Sequence, residues 1–205
     1  IVLASVSEKE DVLKECRKKN VPVVQVDRQI DDEDTNAVLW EDFRLAYTLA
    51  EHVIDKGHTN VAVENTRLGG STGQHRLQGY LEAFRSQGIR IDEENISASN
   101  FEMQDAYEHV KSLLEKPKCP TCIICSNNIM VKGSLKAIQE KGLSIPEDIS
   151  ICCFGNIETN EYSLTDITNI QQDTRLMGRK AGELLLSQIN EENHCSVKIK
   201  LSGKM

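Results

Sequence analysis

Short apolar runs alternate along this chain with longer segments in which apolar residues recur at helical spacing. The clearest helical segment is 42–56, where Leu45, Leu49 and Val53 share one stripe and Gly57 follows at the expected stop. Predicted strands lie at 1–5, 21–26, 60–64, 95–98, 121–125, 149–154 and 197–201, with short ones ending near Trp40 and within 162–170. Predicted helices lie at 9–19, 42–56, 74–87, 104–115 and 176–189, and another begins near residue 127. This alternation predicts an α/β fold with a parallel, doubly wound sheet.

The segment 120–156 has the pattern of one strand–helix–strand unit whose strands both end on polar or glycine residues. Such a unit pairs its strands in parallel through a right-handed crossover. The crossover brings Ser126 and Asn127 beside Gly155 and Asn156, at the carboxyl ends of neighbouring strands. Because open α/β sheets bind ligands at that edge, the pattern predicts a small-molecule site.

The composition is ordinary for a soluble globular protein, with 39% hydrophobic and 27% charged residues among 205. A formal net charge of −8 argues against a broad nucleic-acid-binding surface within these residues. No apolar run approaches the roughly 20 residues that a membrane span needs, so no membrane association is expected. The first residues also lack the basic start and the small-residue cleavage site of a signal peptide.

Seven cysteines, an odd number without a secretory context, favour a reduced cytoplasmic environment. Cys119, Cys122 and Cys125 form a CxxCxxC pattern that resembles part of an iron–sulfur or zinc site. Cys122 and Cys125 lie in a predicted strand, however, where an odd separation sends them to opposite faces. Since no fourth ligand is evident nearby, we expect small buried apolar residues here, with no metal and no cofactor.

The glycine-rich loop Gly69–Gly73 follows a predicted strand and opens a helix, so its backbone amides could receive an anion or a hydroxyl. It lacks the lysine of a P-loop and the glycine spacing of a dinucleotide site, which argues against nucleotide hydrolysis. A flexible loop is the alternative. Arg76, one turn into the next helix, either donates to a ligand near the strand ends or pairs on the surface with Glu82 or another acid.

Three further side chains lie where predicted elements begin or end. Asp27 directly follows a strand and is either a ligand-binding carboxylate or a loop cap. Aromatic residues make up only 4% of the chain, and Trp40 and Phe101 occur at element boundaries, where a ring either stacks on a flat ligand or packs in the core. The five histidines are scattered and no Ser–His–Asp order stands out, so we do not expect an enzyme.

Several short motifs occur in a fixed order along the sequence. They are NVPVVQVDR at 20–28, EHVI with GH at 51–58, RLQGY at 76–80, NNIMVKGSLKA at 127–137, IPEDISICCF at 145–154, and Gln171 or Gln172 followed by Gly178 and Ala181. Together, in this order and spacing, they resemble the effector-binding core of LacI-type bacterial transcription regulators, over nearly the whole chain.

This resemblance implies a periplasmic-binding-protein type I fold, in which two Rossmann-like lobes with parallel sheets hold the effector in the cleft between them. The N-terminal lobe would comprise 1–39 and 162–189, and the C-terminal lobe 40–161 and 190–205. By the same comparison, the first strands and helices of the N-terminal lobe and the DNA-binding head are expected to be absent from this sequence.

The resemblance also implies a function. LacI-type regulators are cytoplasmic homodimers, commonly repressors, that bind operator DNA through an N-terminal helix-turn-helix. A small effector, here a sugar, a sugar derivative or a nucleobase, controls DNA binding allosterically. The alternative that shares the fold is the sugar- or solute-binding protein of a transporter. The cysteine content and the PEDIS segment at 146–150 favour the regulator.

Motif by motif, the resemblance assigns effector contacts to six side chains. They are Asp27, Trp40, Thr72, Arg76, Phe101 and Asn127. Gly155 stands where the family usually has the aspartate that anchors effector hydroxyls, Asn128 replaces another aspartate, and Leu45 stands where the family prefers glycine. The expected pocket therefore keeps its arginine but loses one carboxylate, which argues against a simple neutral sugar bound in the standard way.

Overall fold

A computed structural model describes residues 1–5, 11–30, 34–66, 71–100, 102–157, 167–190 and 196–205. The strands within these ranges are β1 (Val2–Leu3), β2 (Val24–Val26), β3 (Asn36–Trp40), β4 (Val61–Thr66), β5 (Ile96–Ser99), β6 (Cys122–Cys125), β7 (Ser150–Phe154), β8 (Thr168–Ile170) and β9 (Lys198–Leu201). The helices are α1 (Asp11–Lys18), α2 (Asp42–Asp55), α3 (Ser71–Ser86), α4 (Met103–Leu114), α5 (Asn128–Glu140) and α6 (Thr174–Asn190). The chain divides into two compact units.

The first unit comprises Ile1–Glu41, Gly69–Thr72 and Asp173–Gly203. Its four strands pair in parallel in the order β1-β2-β3-β9. Leu13 and Cys16 on α1 form a small apolar cluster with Val23 and Ile30, because these two α1 positions are three residues apart and share one helix face. The long helix α6 packs against β2 and β3.

The second unit comprises Asp42–Leu68, Gly73–Gln172 and Lys204–Met205. Its five strands are all parallel and lie in the order β5-β4-β6-β7-β8. The chain therefore runs outward from β4 to β5 and then returns to the other side of β4 as β6. In doubly wound sheets this reversal creates a crevice at the carboxyl ends of the two central strands, which here are β4 and β6.

Helices cover both faces of this second sheet. Ala62 of β4 belongs to a buried apolar cluster with residues of α4 and α5, including Val110 and Ile138. Asn65 lies on the opposite face of β4 by strand alternation, and its Nδ2 donates to the carbonyl of Gly73 on α3 over 3.2 Å. Because both faces are buried, the strands are nearly continuous apolar runs, as in CIIC at 122–125.

Two glycines allow the helix pairs to approach closely. A Cβ at Gly79 of α3 would overlap the carbonyl oxygen of Phe43 and lie 2.9 Å from the Cβ of Ala46, both on α2. A Cβ at Gly133 of α5 would overlap the carbonyl oxygen of Met103 on α4. In each pair the missing side chain sets the distance between the helices, so these positions have a packing role.

The strand pairing differs from the expected lobes at two places. The resemblance places residues 190–205 in the C-terminal lobe, but β9 pairs with β3 in the first sheet, and the Val197 amide donates to Asn36 Oδ1 over 2.6 Å. It places residues 162–189 in the N-terminal lobe, but β8 within that range pairs with β7 in the second sheet. Both strands are only three or four residues long, and so short a pattern does not specify its partner.

Candidate functional site

Polar side chains collect where the five strands of the second sheet end. The register pairs Thr66 with Ser99, and it continues across the sheet through β6, β7 and β8. The described residues at or just after the strand ends, called here the carboxyl edge, are Asn65, Thr66, Ser99, Asn100, Ser126, Asn127, Gly155, Asn156, Gln171 and Gln172. This is the edge at which the sequence predicted a ligand site.

Arg76 lies at the middle of the carboxyl edge. From α3, its Nε donates to Asp42 Oδ1 over 2.7 Å, and its Nη1 donates to the carbonyl of Ser126 over 2.8 Å. The guanidinium also stacks 3.9 Å above the ring of Phe154, the last residue of β7. The sequence left open a surface pair with Glu82, but Glu82 instead pairs with Arg85. Arg76 is therefore held rigidly near the strand ends.

Asn127 caps helix α5 with one half of its side chain. Its Oδ1 accepts from the Met130 amide over 2.9 Å, which fixes which end of the side-chain amide is oxygen. The Nδ2 group is buried and has no hydrogen-bond partner among the described residues. A buried amide without a partner is uncommon, so this donor is a good candidate for a ligand contact.

Gly155 follows β7 in a conformation that favours glycine, with φ at +120°. Its amide donates to the carbonyl of Ile170, which holds the backbone in the sheet. Among the described atoms, a Cβ built at this position would find only Gln172 Oε1 within 4 Å, at 3.7 Å. The position at which the resemblance led us to expect an aspartate is thus occupied by backbone, with Gln172 Oε1 as its described neighbour.

Further polar atoms on this edge are buried without a partner in the part of the chain that is described. They are Asn65 Oδ1, Ser99 Oγ, Ser126 Oγ and Gln172 Nε2. The sequence analysis named Ser126 at a strand end and Gln172 only within a motif, and it missed Asn65, Ser99 and Asp42, the partner of Arg76. Ser99 ends β5 and Asp42 begins α2, whereas Asn65 is the penultimate residue of β4 and Gln172 lies between β8 and α6. A position near an element boundary is the signal the sequence offers for them.

The remaining predicted site residues have varied surroundings. Thr72 is buried in the first turn of α3. The predicted loop at 69–73 is therefore wrong for Ser71–Gly73, which are helical. Residues 69–70 and Phe101 lie outside the described residues. Asp27 follows β2 with a left-handed φ of +64° and is half-buried. Trp40 ends β3 and is only 4% exposed, so its ring is packed in protein.

The buried thiols and phenol near the site are neutral. Burial raises the pKa of Cys153 to about 12, although the nearby positive charge of Arg76 acts in the opposite direction. Burial likewise raises the pKa of Tyr80, one turn after Arg76. Thiols with raised pKa values are poor nucleophiles. Within the described ranges, no group of three or more His, Cys, Asp or Glu side chains is arranged to hold a metal ion.

A buried ion pair lies on the other face of the second sheet. Glu64 of β4 is fully buried, and its two oxygens contact His109 Nδ1 and Ser97 Oγ, each over 2.6 Å. Burial acts to lower the pKa of His109, but the hydrogen bond and charge of Glu64 outweigh it and raise that pKa. Sequence reasoning missed this pair because 45 residues separate its members.

A surface groove of about 520 Å³ lies at the opposite, amino end of the second sheet. Its lining includes Asn60, Asn95 and Lys116. The side-chain amides of Asn95 and Asn60 donate to protein carbonyls, and Lys116 pairs with Glu94 over 3.1 Å. Since its polar groups are already satisfied, this groove is a weaker candidate than the carboxyl edge.

Comparison with known proteins identifies the family. A model of the periplasmic binding protein-like domain matches residues 50–203. The chain belongs to this domain family. Among solved structures, a regulatory protein of the LacI family from Chloroflexus aggregans covers 99% of the chain with a TM-score of 0.88 and 25% identity, and the chain spans 73% of it. A LacI family regulator from Enterococcus faecium with bound ribose has a TM-score of 0.88 at 24% identity. The match covers 99% of the present chain and 76% of the regulator.

Curated relatives of this periplasmic binding protein-like domain are repressors. The chain is 31% identical over 174 residues to the HTH-type transcriptional repressor PurR of Pasteurella multocida, covering 85% of the chain and 52% of the relative. PurR of Mannheimia succiniciproducens is 30% identical over 190 residues, with 92% and 57% covered. The chain thus spans about half the length of these relatives. The predicted fold class and the resemblance to LacI-type effector-binding domains are confirmed.

The similar proteins are transcription regulators and not enzymes. None of the helices in the described ranges has both the length and the apolar character needed to cross a membrane.

Proposed function

We propose that this chain is the effector-sensing part of a LacI-type transcriptional repressor, and that its effector binds at the carboxyl edge of the second sheet. One arrangement carries the proposal: Asp42 and the Ser126 carbonyl fix the Arg76 guanidinium at the end of β6, and the next residue, Asn127, has a buried Nδ2 without a partner among the described residues. Preorganised donors of this kind bind a small polar molecule with little loss of side-chain entropy.

The proposed effector contacts follow the motif matches. Arg76, Thr72, Asn127 and Asp27 would hydrogen-bond the effector, Trp40 and Phe101 would stack on it, and Gly155 would leave room for it. The support is strongest for Arg76 and Asn127, because the Arg76 guanidinium donates to the Ser126 carbonyl just after β6 and Asn127 is the next residue. It is weaker for Trp40, whose ring is already packed.

The regulatory step would be a shift between conformations. An effector that binds one conformation more tightly than another shifts the population toward it, and binding free energies at the two sites are then coupled. In this proposal the chain acts in the cytoplasm as a homodimer, and an N-terminal helix-turn-helix outside the present sequence binds the operator. The proposal keeps the two-lobe division of the family, with β8 assigned to the C-terminal lobe and β9 to the N-terminal lobe.

A thermal-shift screen tests the proposal. Sugars, sugar phosphates and nucleobases are added to the chain, and a ligand that binds the folded state raises its Tm. We expect a hit whose shift is lost in Arg76→Lys, because lysine cannot reproduce the planar fork. A hit that is unaffected by this substitution would place the site elsewhere, and turnover of a hit would indicate an enzyme.

The gene upstream of this segment separates the regulator from the transporter alternative. In the regulator, a longer protein that includes the upstream sequence binds DNA, and the hit changes that affinity. A cleaved signal peptide upstream, together with binding of the same hit but no effect on DNA, would support a solute-binding protein.

A further inference from the structure

We infer that the carboxyl edge selects its effector by an oxygen acceptor, namely a phosphate, a carboxylate or a ring carbonyl, docked against Asn127, Gly155 and Gln172. This inference rests on the proposed function, because it concerns the same site, and it names the chemistry that the site prefers. An effector recognised only through hydroxyl groups that donate to a protein carboxylate would not satisfy this edge.

The side-chain types along the carboxyl edge are the first observation. The ten described residues that form it carry amides, hydroxyls or no side chain, and none carries a carboxylate. Two carboxylates described in this unit reach the edge, and both already accept hydrogen bonds: Asp42 Oδ1 accepts from Arg76 Nε over 2.7 Å, and Asp105 Oδ2 accepts from the Asn100 amide over 3.0 Å. A sugar hydroxyl at this edge of the second sheet therefore meets only carboxylates that already accept hydrogen bonds from the protein.

The orientation of Asn127 is the second observation. Because Oδ1 accepts from the Met130 amide, the group left without a partner among the described residues is Nδ2, which can only donate. A buried donor without a partner carries a desolvation cost that a ligand oxygen removes. Because the helix cap uses Oδ1, a ligand that pairs with Asn127 Nδ2 must provide a hydrogen-bond acceptor.

The space beside Gly155 is the third observation. Gln172 lies next to it and is fixed by a reciprocal pair with Asn156: the Gln172 amide donates to Asn156 Oδ1 over 2.7 Å, and Asn156 Nδ2 donates to the Gln172 carbonyl over 2.9 Å. The Gln172 side-chain Nε2 is buried without a partner in the described structure. A Cβ at Gly155 would meet only Gln172 Oε1 among the described atoms, at 3.7 Å, so a ligand has room beside Gly155, and the Nε2 donor lies on the same Gln172 side chain.

At the β4 end of the carboxyl edge, the side-chain atom without a described partner is an acceptor and not a donor. Asn65 Nδ2 donates to the Gly73 carbonyl, so the atom left without a described partner is Oδ1, an acceptor. The effector is therefore oriented, with its acceptor group toward β6–β8 and a donor such as a ring N–H or a hydroxyl toward β4. The Arg76–Asp42 pair between them is close to neutral, so both a charged and an uncharged acceptor fit.

Two matched probe sets and a pair of isosteric variants test this inference. Ribose 5-phosphate, gluconate and hypoxanthine carry the acceptor, whereas ribose, glucose and cellobiose carry only hydroxyl and ether oxygens. Binding is measured by calorimetry on the wild-type chain, Asn127→Asp and Gln172→Glu. Asn127→Asp keeps the oxygen that caps α5 but replaces the donor with an acceptor, so folding is preserved. Gln139→Glu, an exposed amide-to-acid change on α5, is the control.

We expect at least one probe of the first set to bind the wild-type chain. Its affinity should fall about tenfold or more in Asn127→Asp and should also fall in Gln172→Glu. In the control Gln139→Glu the affinity should not change. Phosphate, carboxylate and carbonyl sources are distinguished by which probe binds. A different result would be that only neutral sugars bind, that their affinity falls in Arg76→Lys, and that their affinity for Asn127→Asp is equal or higher. In that case the inference is wrong and the proposed function stands. If no probe binds, or if binding ignores both Arg76 and Asn127, both are wrong.

Discussion

Arg76 donates from Nε to the carboxylate of Asp42 over 2.7 Å, with side chains that are 11% and 4% exposed. Arg76 lies on α3 and Asp42 is the first residue of α2, so the pair joins two helices. The second bond of the guanidinium, to the Ser126 carbonyl, extends the connection to the end of β6. The residue proposed to bind the effector is thus also part of the packing of the second unit.

Removing Arg76 is therefore expected to destabilise the fold. Arg76→Met leaves the Asp42 carboxylate buried without its cation, and breaking a buried pair in this way costs about 3 kcal/mol of unfolding free energy. Urea denaturation measures the change. Arg85→Met on the same helix removes an ion pair with Glu82 that is largely exposed, and it should leave the stability unchanged. Equal losses in the two variants would contradict the packing role of Arg76.

Gly79→Ala tests the close approach of α2 and α3. The added Cβ overlaps the Phe43 carbonyl oxygen, so the helices must move apart, and we expect a loss of about 1–3 kcal/mol in unfolding free energy. The matched control is Gly178→Ala in α6, where no atom lies within 4 Å of the new Cβ. There alanine should stabilise by roughly 0.5–1 kcal/mol through helix propensity. Stabilisation at both positions would show that α2 and α3 are not held at this distance.

The cap of α5 separates stability from binding at Asn127. Asn127→Ala removes the oxygen that accepts from Met130 and should cost about 1 kcal/mol of unfolding free energy. Asn127→Asp keeps that oxygen and should change stability by only a few tenths of a kcal/mol. Chemical denaturation of the two variants checks this order, and a larger loss in Asn127→Asp than in Asn127→Ala would be the contrary result.

The Glu64–His109 pair predicts a pH-dependent stability. Because the pKa of His109 is raised in the folded state, the pair's contribution is complete below the unfolded value of 6.5 and is lost as the pH rises through the folded pKa. The stability advantage of wild type over His109→Gln should therefore fall as the pH rises above 6.5 and through the raised folded pKa of His109. Lys116 also faces His109 and opposes its protonation, so Lys116→Met should move the transition to higher pH.

His58 provides a control of opposite sign in the same unit. Burial lowers the pKa of His58. A lowered folded pKa means that the neutral form is favoured, so the advantage of wild type over His58→Gln should increase as the pH rises toward the unfolded value of 6.5. Parallel pH profiles for His58→Gln and His109→Gln would contradict these assignments.

The sequence predicted most of the second sheet because its strands and helices are locally encoded. The predicted strands 121–125 and 149–154 correspond to Cys122–Cys125 and Ser150–Phe154, and the predicted helix 42–56 to Asp42–Asp55. Buried apolar runs bounded by asparagine, glycine or proline leave few other structures open to these segments. The position of Asn127 at the carboxyl edge followed from the same local pattern.

Features that depend on contacts between distant segments were not predicted. Arg76 pairs with a residue 34 positions earlier, and β9 pairs with a strand about 160 positions earlier, so no local pattern identifies either partner. Ser71, Thr72 and Gly73 have weak helix propensity, yet they form the first turn of α3, where the bond from Asn65 to Gly73 contributes. Tertiary contacts decided these features.

The central claim is that a small effector binds at the carboxyl edge of the second sheet. An NMR titration of the ¹⁵N-labelled chain, with whichever probe raises its Tm, tests this claim most directly. The account predicts that the largest changes in chemical shift occur at the backbone amides of Ser126, Asn127 and Gly155 and at the side-chain amide of Asn127. Changes concentrated at the amino-end groove around Asn60 and Lys116, with the carboxyl edge unaffected, would contradict it.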